Sequence, residues 1–478
     1  MRLLLPHAAN TASPRKSVVP FVSKFATVIC GFAIAACASA QDEEVLATSV
    51  SDGFTIAVVG DIIISYPLDH MLTDPGFREV VELTQGADVT TGNLEGNIID
   101  GRTFTGSAGG GFGAEPEAAE WIRDMGFDIV SRPNNHADDF GPEGLEETSA
   151  HLERAGIQYA GYGDTYWAAK SARFYSSPRG RVGMVAVSDH NPRAQPARGE
   201  WPGVGGLSPL RVTRYFMVPE QSWDGLQALR DHFPNGTGFY ARGANTASDI
   251  AFAGNNFRKA PAGVTEAYYH YEMNQRDLTD TLAAVREGKI KSDFITVAIH
   301  AHHFLDATGG YRGEGIPEGE HLDTNPSIAD YLPEFAHAVI DNGADLFQGT
   351  GVHALRGIEI YNNRPIFYGL GEFIRQMDVI GLAGRGDPQR SIGPEGYEFP
   401  AKFESIIAIA EYSEGELQEV RIHPIETRYD EEKLALRGIP RIAPPEIAQR
   451  ILTRLQELSE PLGTDIRIRG NVGIIRPN

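Results

Sequence analysis

Five polar clusters lie directly behind apolar runs and carry the residue types that hold a divalent ion: "VVGD" ending at Asp61, "VTTGNLEG" with Asn93 and Glu95, "NNH" with Asn134, Asn135 and His136, "VAIHAHH" with His300, His302 and His303, and "GTGVH" ending at His353. Carboxylate, amide oxygen and imidazole together suit a borderline or hard cation, and none of the clusters contains a cysteine thiolate. A centre of one or two such ions polarises a phosphoryl or carbonyl oxygen and lowers the pKa of a bound water. Singly, each residue has a plainer use. Asp61 behind a glycine can cap a turn, Asn93 and Asn135 can satisfy turn backbones, and a lone His353 is more often hydrogen-bonded than ligating. Five such clusters in equivalent positions point to one site.

Positioning these groups together requires strands that end on one edge. Short apolar runs alternate with helical patterns: Phe54 to Val59 then Gly76 to Leu83, Phe127 to Val130 then Pro142 to Ala155, Gly156 to Ala160 then Thr165 to Ala172, and Val182 to Val187. Strand alternating with helix predicts an α/β fold, and in an open α/β sheet the carboxyl ends of the strands share an edge where ligands bind. Pro142 and Glu143 suit a first helical turn, and Gly156 a stop. Residues 190–265, rich in Gly, Pro, Asn and Arg, read as an insertion or long loops. "GIEIY" and "PIFYGL" are strand-like, "ESIIAIAEY" and "LQEVRIHPI" read as an antiparallel pair closing a second sheet, and "PEIAQRILTRLQELSEPLG" as a C-terminal helix. Two glycine-rich loops, from Thr103 and from Val379, lack the spacing of a phosphate-binding loop and read as rims of a cleft. The sequence Asn235-Gly236-Thr237 is a glycosylation sequon whose meaning depends on the host.

Residues 1–40 carry Arg2, Arg15, Lys16 and Lys24, no acid, and the apolar stretch "FATVICGFAIAACASA", the pattern of a secretory signal peptide followed by a polar linker over 41–53. Two exits are open: cleavage after Ala40, or lipid attachment at Cys37 with membrane attachment through that lipid. The apolar run is shorter than the roughly 20 residues a membrane-spanning helix needs. Both cysteines, Cys30 and Cys37, fall in this segment, so a body beginning at Gln41 forms no disulfide. Its loss removes four bases and no acid, which moves the formal charge from −22 to −26. So acidic a surface argues against nucleic acid as a partner and leaves a small-molecule or polymer substrate.

The pieces "VVGD", "GNLEG", "NNHADDFGPEGLEET", "AGIQYAGYGD", "VAIHAHH", "FAHAVIDNGADLFQGTGVHALRGIEIYNNRPIFYGLGEF" and "LGTDIRIRGNVGII" resemble, in order and over nearly all of Phe54 to Ile475, the CapA family of poly-γ-glutamate capsule biosynthesis proteins, which is similar to calcineurin-like metallophosphoesterases. The resemblance implies one domain over 54–478, a four-layer α/β/β/α sandwich with a metal cleft at its strand ends. It implies Asp61, Glu95, Asn135, His300 and His353 as ligands of one or two divalent ions of the Mn, Zn, Fe or Mg class. His136 is then the proton donor or the partner of the substrate anion; apart from the resemblance, His302 or His303 is a candidate base for a reaction of a carbonyl substrate. Asn93, Asn134, His303, Thr350 and Glu372 would line the substrate. The chain departs from the family pattern at Ile63 and Thr350, where histidines are usual, at Glu372 in place of an asparagine, and at His303 in place of an acid. A degraded second ion site is one expectation from these departures, and an altered metal preference another.

The leading expectation is a secreted, periplasmic or envelope-attached metal-dependent hydrolase acting on a phosphoester or on an amide of the poly-γ-glutamate kind. The alternative is a non-catalytic accessory protein that binds a capsule polymer during synthesis or export.

Overall fold

The computed structural model describes residues 46–106, 111–189, 203–232, 246–252, 254–305, 326–376, 400–428, 431 and 433–477. The signal segment, the sequon at Asn235 and the second glycine-rich loop lie outside them. The described residues form a mixed α/β structure within one unit, Leu46–Asn478. Its described lead-in is docked rather than loose. Val50 is buried, the Ser49 amide donates to the Asp293 carbonyl (3.0 Å), and Ser51 donates to Arg179 (2.8 Å).

Six strands carry the polar clusters or end beside them: β1 (Phe54–Ile63), β2 (Val89–Leu94), β3 (Ile129–Ser131), β4 (Phe294–His300), β5 (Leu346–Thr350) and β6 (Glu372–Arg375). β2, β3, β4, β5 and β6 are buried throughout, and β1 at all but one position, as expected of strands covered on both faces. In the first sheet β1 runs parallel to β2 (Ile56↔Val89), β2 to β3 (Thr91↔Ile129), and β6 joins the last residues of β1 (Asp61↔Glu372). In the second, β4 runs parallel to β5 (His300↔Thr350) and to the strand Gly180–Ser188 (His300↔Ser188).

Alternation along the strands divides the core. Ile56 and Val58 of β1 share a cluster with Met184, Ala186, Phe294 and Ala298, which lie on the second sheet. Their neighbours Val59 and Ile62 face Phe77, Val80, Ala118, Ile122 and Leu152, from the helices Pro75–Gly86, Glu117–Asp124 and Gly141–Ala155. Val185, Val187, Ile295 and Val297 face Val285, Phe335 and Val339, from the helices Gln275–Ile290 and Tyr331–Asp341. Several helix ends follow local signals. The Asp74 side chain accepts from the Phe77 amide (3.1 Å), and Gly156 closes its helix at φ 78°.

One expectation needs correction, and of the two alternatives for residues 190–265 the long loops give way. Glu404–Ser413 and Glu416–Glu426 do pair antiparallel, but they extend the first sheet, with Phe54 of β1 opposite Tyr412, rather than closing the second. Within 190–265, Val212–Val218, Asp249–Phe252 and Asn255–Lys259 are strands and Glu220–Asp231 is a helix. With Tyr268–Met273 these strands make a third, four-stranded sheet. The high Gly and Asn content of the stretch masks alternating segments such as "VTRYFMV", whose aromatic and β-branched residues suit a pleated surface.

Candidate metal centre

The strand ends of both sheets bring the clusters together. The ladders of β1 slip at Asp61, and the backbone there is pressed against β6: the Asp61 amide donates to the Gly371 carbonyl at 3.0 Å. A Cβ on Gly60 would stand 1.8 Å from that same oxygen, so only glycine fits before Asp61. This places the carboxylate in the buried seam. Asn93 Nδ2 donates to its Oδ1 at 2.7 Å and the Gly351 amide to its Oδ2 at 3.2 Å, with His300 Nδ1 at 3.6 Å and His353 Nδ1 at 3.7 Å.

His300 Nε2, His302 Nε2 and Asn135 Oδ1 form a tight triangle of 3.1, 2.8 and 3.4 Å sides. Three lone-pair atoms this close are a ready ligand set for a cation. His353 follows Gly351 (φ 108°) and itself sits at φ 51°, a left-handed conformation uncommon for a residue with a side chain. Its Nδ1 lies 2.9 Å from Glu372 Oε1, and Glu372 in turn pairs with Arg375.

Glu95 sits among these groups, buried, and neither of its carboxylate oxygens has a hydrogen-bond partner. Ligand atoms of Glu95, His302 and His353 lie within 4.8 Å of one another, and so do those of Asp61, Glu95 and His300. Burial and then the charge of Asp61 push the Glu95 carboxyl up to about 8. Burial acts the same way on Asp61, but hydrogen bonds from His300 and His353 outweigh it and hold that carboxyl well below the usual range. An orphaned buried carboxylate at the junction of two acid and histidine trios is what a divalent cation would satisfy, so the residues present fit the ion that the sequence implied.

The other expected residues divide by placement. His136 stands at the rim, its Nδ1 2.9 Å from Asp139 Oδ2 and its Nε2 4.0 Å from Glu95 Oε1. Phe112, from the described part of the first glycine-rich loop, lies against the imidazole with ring centres 3.9 Å apart and donates its amide to Asp139. Asn93 is internal: beyond Asp61 it meets His300 Nδ1 (3.1 Å) and accepts from Ser131 Oγ (2.8 Å). Asn134 is buried and braces the turn, donating to the Leu94 carbonyl (2.8 Å) and accepting from the His136 amide (3.0 Å). Thr350 Oγ1 lies 3.2 Å from His300 Nδ1, in the place of the family's histidine. Ile63 is buried, and its aliphatic side chain offers no ligand. His303 belongs to neither trio. Its Nδ1 meets the Tyr331 hydroxyl (2.9 Å) and its Nε2 meets Asp189 (2.8 Å).

Sequence reasoning gave no role to Asp139, Ser131 or Arg375, which orient His136, Asn93 and Glu372. Asp139 was visible as the second acid of "NNHADD", three residues beyond His136, the reach of a side-chain pair across one turn. Ser131 shows its function only through a contact between strands, and Arg375 through its pairing with Glu372 inside β6.

Two uncharacterized proteins of Sinorhizobium fredii, y4sH and y4uA, are each 37% identical over 463 residues, which covers 90% of this chain and 94% of theirs. The capsule biosynthesis protein CapA of Bacillus anthracis is 20% identical over 331 residues, 68% of this chain and 60% of that protein. A probable polyglutamine synthesis accessory protein of Mycobacterium tuberculosis is 26% identical over 299 residues, 62% of this chain and 57% of its own length. A crystal structure of a hypothetical protein from Thermus thermophilus aligns with 78% of this chain and 99% of its own, at a TM-score of 0.36 and 13% identity, a likeness too slight to carry the fold. The family model described as bacterial capsule synthesis protein PGA_cap matches residues 55–307 and 319–377, which takes in the carboxyl ends of β1 to β6. The chain belongs to the bacterial capsule synthesis family that includes CapA.

Proposed function

We propose that this protein is an exported, envelope-associated, metal-dependent hydrolase of the CapA type, built as a four-layer α/β/β/α sandwich, that cleaves a phosphoester or an amide of the poly-γ-glutamate kind. The observation that carries the reading is Glu95, a buried carboxylate without hydrogen-bond donors, shared by two trios of ligand atoms. Asp61, Glu95, Asn135, His300, His302 and His353 would hold one or two divalent ions. Such ions supply Lewis acidity and a water that ionises near neutral pH. His302 therefore moves from the role of base to that of ligand.

The chain's own groups do the rest. Asp139 takes the Nδ1 proton of His136 as a hydrogen bond and fixes the ring, so Nε2 is the atom that exchanges a proton with the reacting group at the rim. Phe112 covers one face of that ring and limits its rotation. Asn93, anchored on Ser131, holds Asp61 and His300 in their relative places. Exposed in part where Asp61, Glu95 and His300 are buried, Asn135, His136, His302 and His353 are the groups of the centre that a substrate would meet.

Metal analysis of the purified chain, combined with a screen on chromogenic phosphate esters and γ-glutamyl peptides, tests the proposal. Bound cation and turnover, both lost in Asp61→Ala and His353→Ala, support it. Variants that keep their metal content and every detected activity overturn it. Cation binding without turnover on either substrate class favours the accessory role that the names of some relatives describe.

A further inference from the structure

The segment that carries His302, Ala301–Leu305, leaves β4 without regular structure of its own, yet it is held residue by residue from outside. The Ala301 amide donates to the Thr350 carbonyl at 3.0 Å. The three carbonyls after His302 each accept from a different partner: that of His303 from Arg356 Nη2 (2.5 Å), that of Phe304 from the Tyr271 hydroxyl (3.0 Å), and that of Leu305 from the Tyr269 amide (3.2 Å). The Leu305 amide donates to Ser327 Oγ at 3.1 Å. The His303 ring is pinned as well, between Asp189 and the Tyr331 hydroxyl, with the Tyr271 ring against it at 4.6 Å between centres.

Tyr269 and Tyr271 belong to Tyr268–Met273, a strand of the third sheet. That sheet supplies no member of either ligand trio. Alternation along Tyr268–Met273 turns Tyr269 and Tyr271 to the same side, where they share a core cluster with Tyr331 and Phe304. Tyr271 is buried, and Arg356 and Tyr331 are almost wholly so, which makes these rigid partners rather than surface contacts.

We infer that Tyr271, His303, Tyr331 and Arg356 are positioning residues for His302, and that the third sheet is the support that brings the His302 imidazole to Asn135 and His300. A ligand must be held within about half an ångström of its productive place. Partners that orient a ligand without touching the metal commonly change metal affinity about 10- to 100-fold when removed. His303 thereby acquires a role different from substrate binding: it locks the backbone on which its neighbour stands. The functional meaning rests on the metal reading above, whereas the clamp itself is a property of the chain.

The test uses the full chain and conservative changes that keep each buried ring. Tyr271→Phe and Tyr331→Phe each remove one hydroxyl from the clamp. Tyr412→Phe removes an equally buried hydroxyl that donates to the Asp345 carbonyl (3.1 Å) and serves as the control. Two quantities are read: Mn²⁺ affinity by calorimetric titration, and hydrogen exchange of the peptide spanning residues 300–305 in chelator-treated protein. The clamp predicts that Tyr271→Phe weakens Mn²⁺ binding by about tenfold, speeds exchange across His302 to Leu305, and leaves the overall unfolding midpoint near that of the control. Unchanged affinity and exchange in both clamp variants overturn the inference, and so does an equal effect from Tyr412→Phe. Wild-type protein that binds no Mn²⁺ removes the metal reading alone, because exchange in the chelated protein still reports whether the clamp exists.

Discussion

Glu95→Gln separates the cost of the centre from its use. In cation-free protein the carboxyl is buried without donors, and burial followed by the charge of Asp61 raises it from an ordinary 4.5 to about 8. A carboxyl raised in the folded state binds its proton more tightly there than in the unfolded chain. It therefore costs nothing below pH 4.5, and it drains stability as pH climbs to 8. At about 1.4 kcal/mol per pH unit, the burden at pH 8 is on the order of 5 kcal/mol. Glutamine keeps the shape and never ionises. Chelated Glu95→Gln should then match chelated wild type near pH 4.5 and exceed it by several kcal/mol at pH 8.

Cation narrows that gap. At a hundredfold excess over the dissociation constant, a site that exists only in the folded chain contributes ~2.7 kcal/mol. Spread over the unfolding entropy of Leu46–Asn478, at about 2.1 cal/mol/K per residue, that amounts to roughly 3 °C in melting temperature. Wild type should show this rise with Mn²⁺ at pH 8, and Glu95→Gln should show none. Thermal and urea unfolding of both proteins, with Mn²⁺ and with chelator, measures all four states. Equal chelated stabilities at pH 8, or a Mn²⁺ response kept by the variant, would refute the reasoning.

Two further outcomes follow from the same geometry. His136→Asn should lower turnover on the cleaved substrate by about 10²- to 10⁴-fold, and Asp139→Asn by less, while metal content by elemental analysis stays at the wild-type level. Gly60→Ala should cost more than about 3 kcal/mol in urea unfolding, because its Cβ would meet the Gly371 carbonyl at 1.8 Å, whereas Gly86→Ala, with open space around it, should gain up to about 1 kcal/mol.

The site was more legible than the sheets that build it. Polar residues behind β-branched runs have few explanations in an α/β chain, so Asp61, Asn93, Glu95, Asn135, His300 and His353 stood out before any contact was known. Sequence did not separate His302 from His303: β4 ends at His300, and only contacts beyond it, His302 with His300 and His303 with Tyr331, send the two rings different ways. Sheet membership is different in kind. Glu404–Ser413 reads as a strand from its own residues, but its pairing with Phe54 depends on a partner about 350 residues earlier, and no local pattern carries that. The third sheet escaped for a related reason. Its strands are short, three of them lie in a polar stretch, and their purpose is visible only in the carbonyls they hold.

One carboxylate serving two trios also shapes how such a centre would fill. Whatever neutralises Glu95 from one side leaves less negative potential for the other, so the two positions cannot load as independent equals. Titration should be anticooperative, with a half-loaded species persisting over a wide span of free ion. The response of such a centre to free ion would then be graded rather than switch-like.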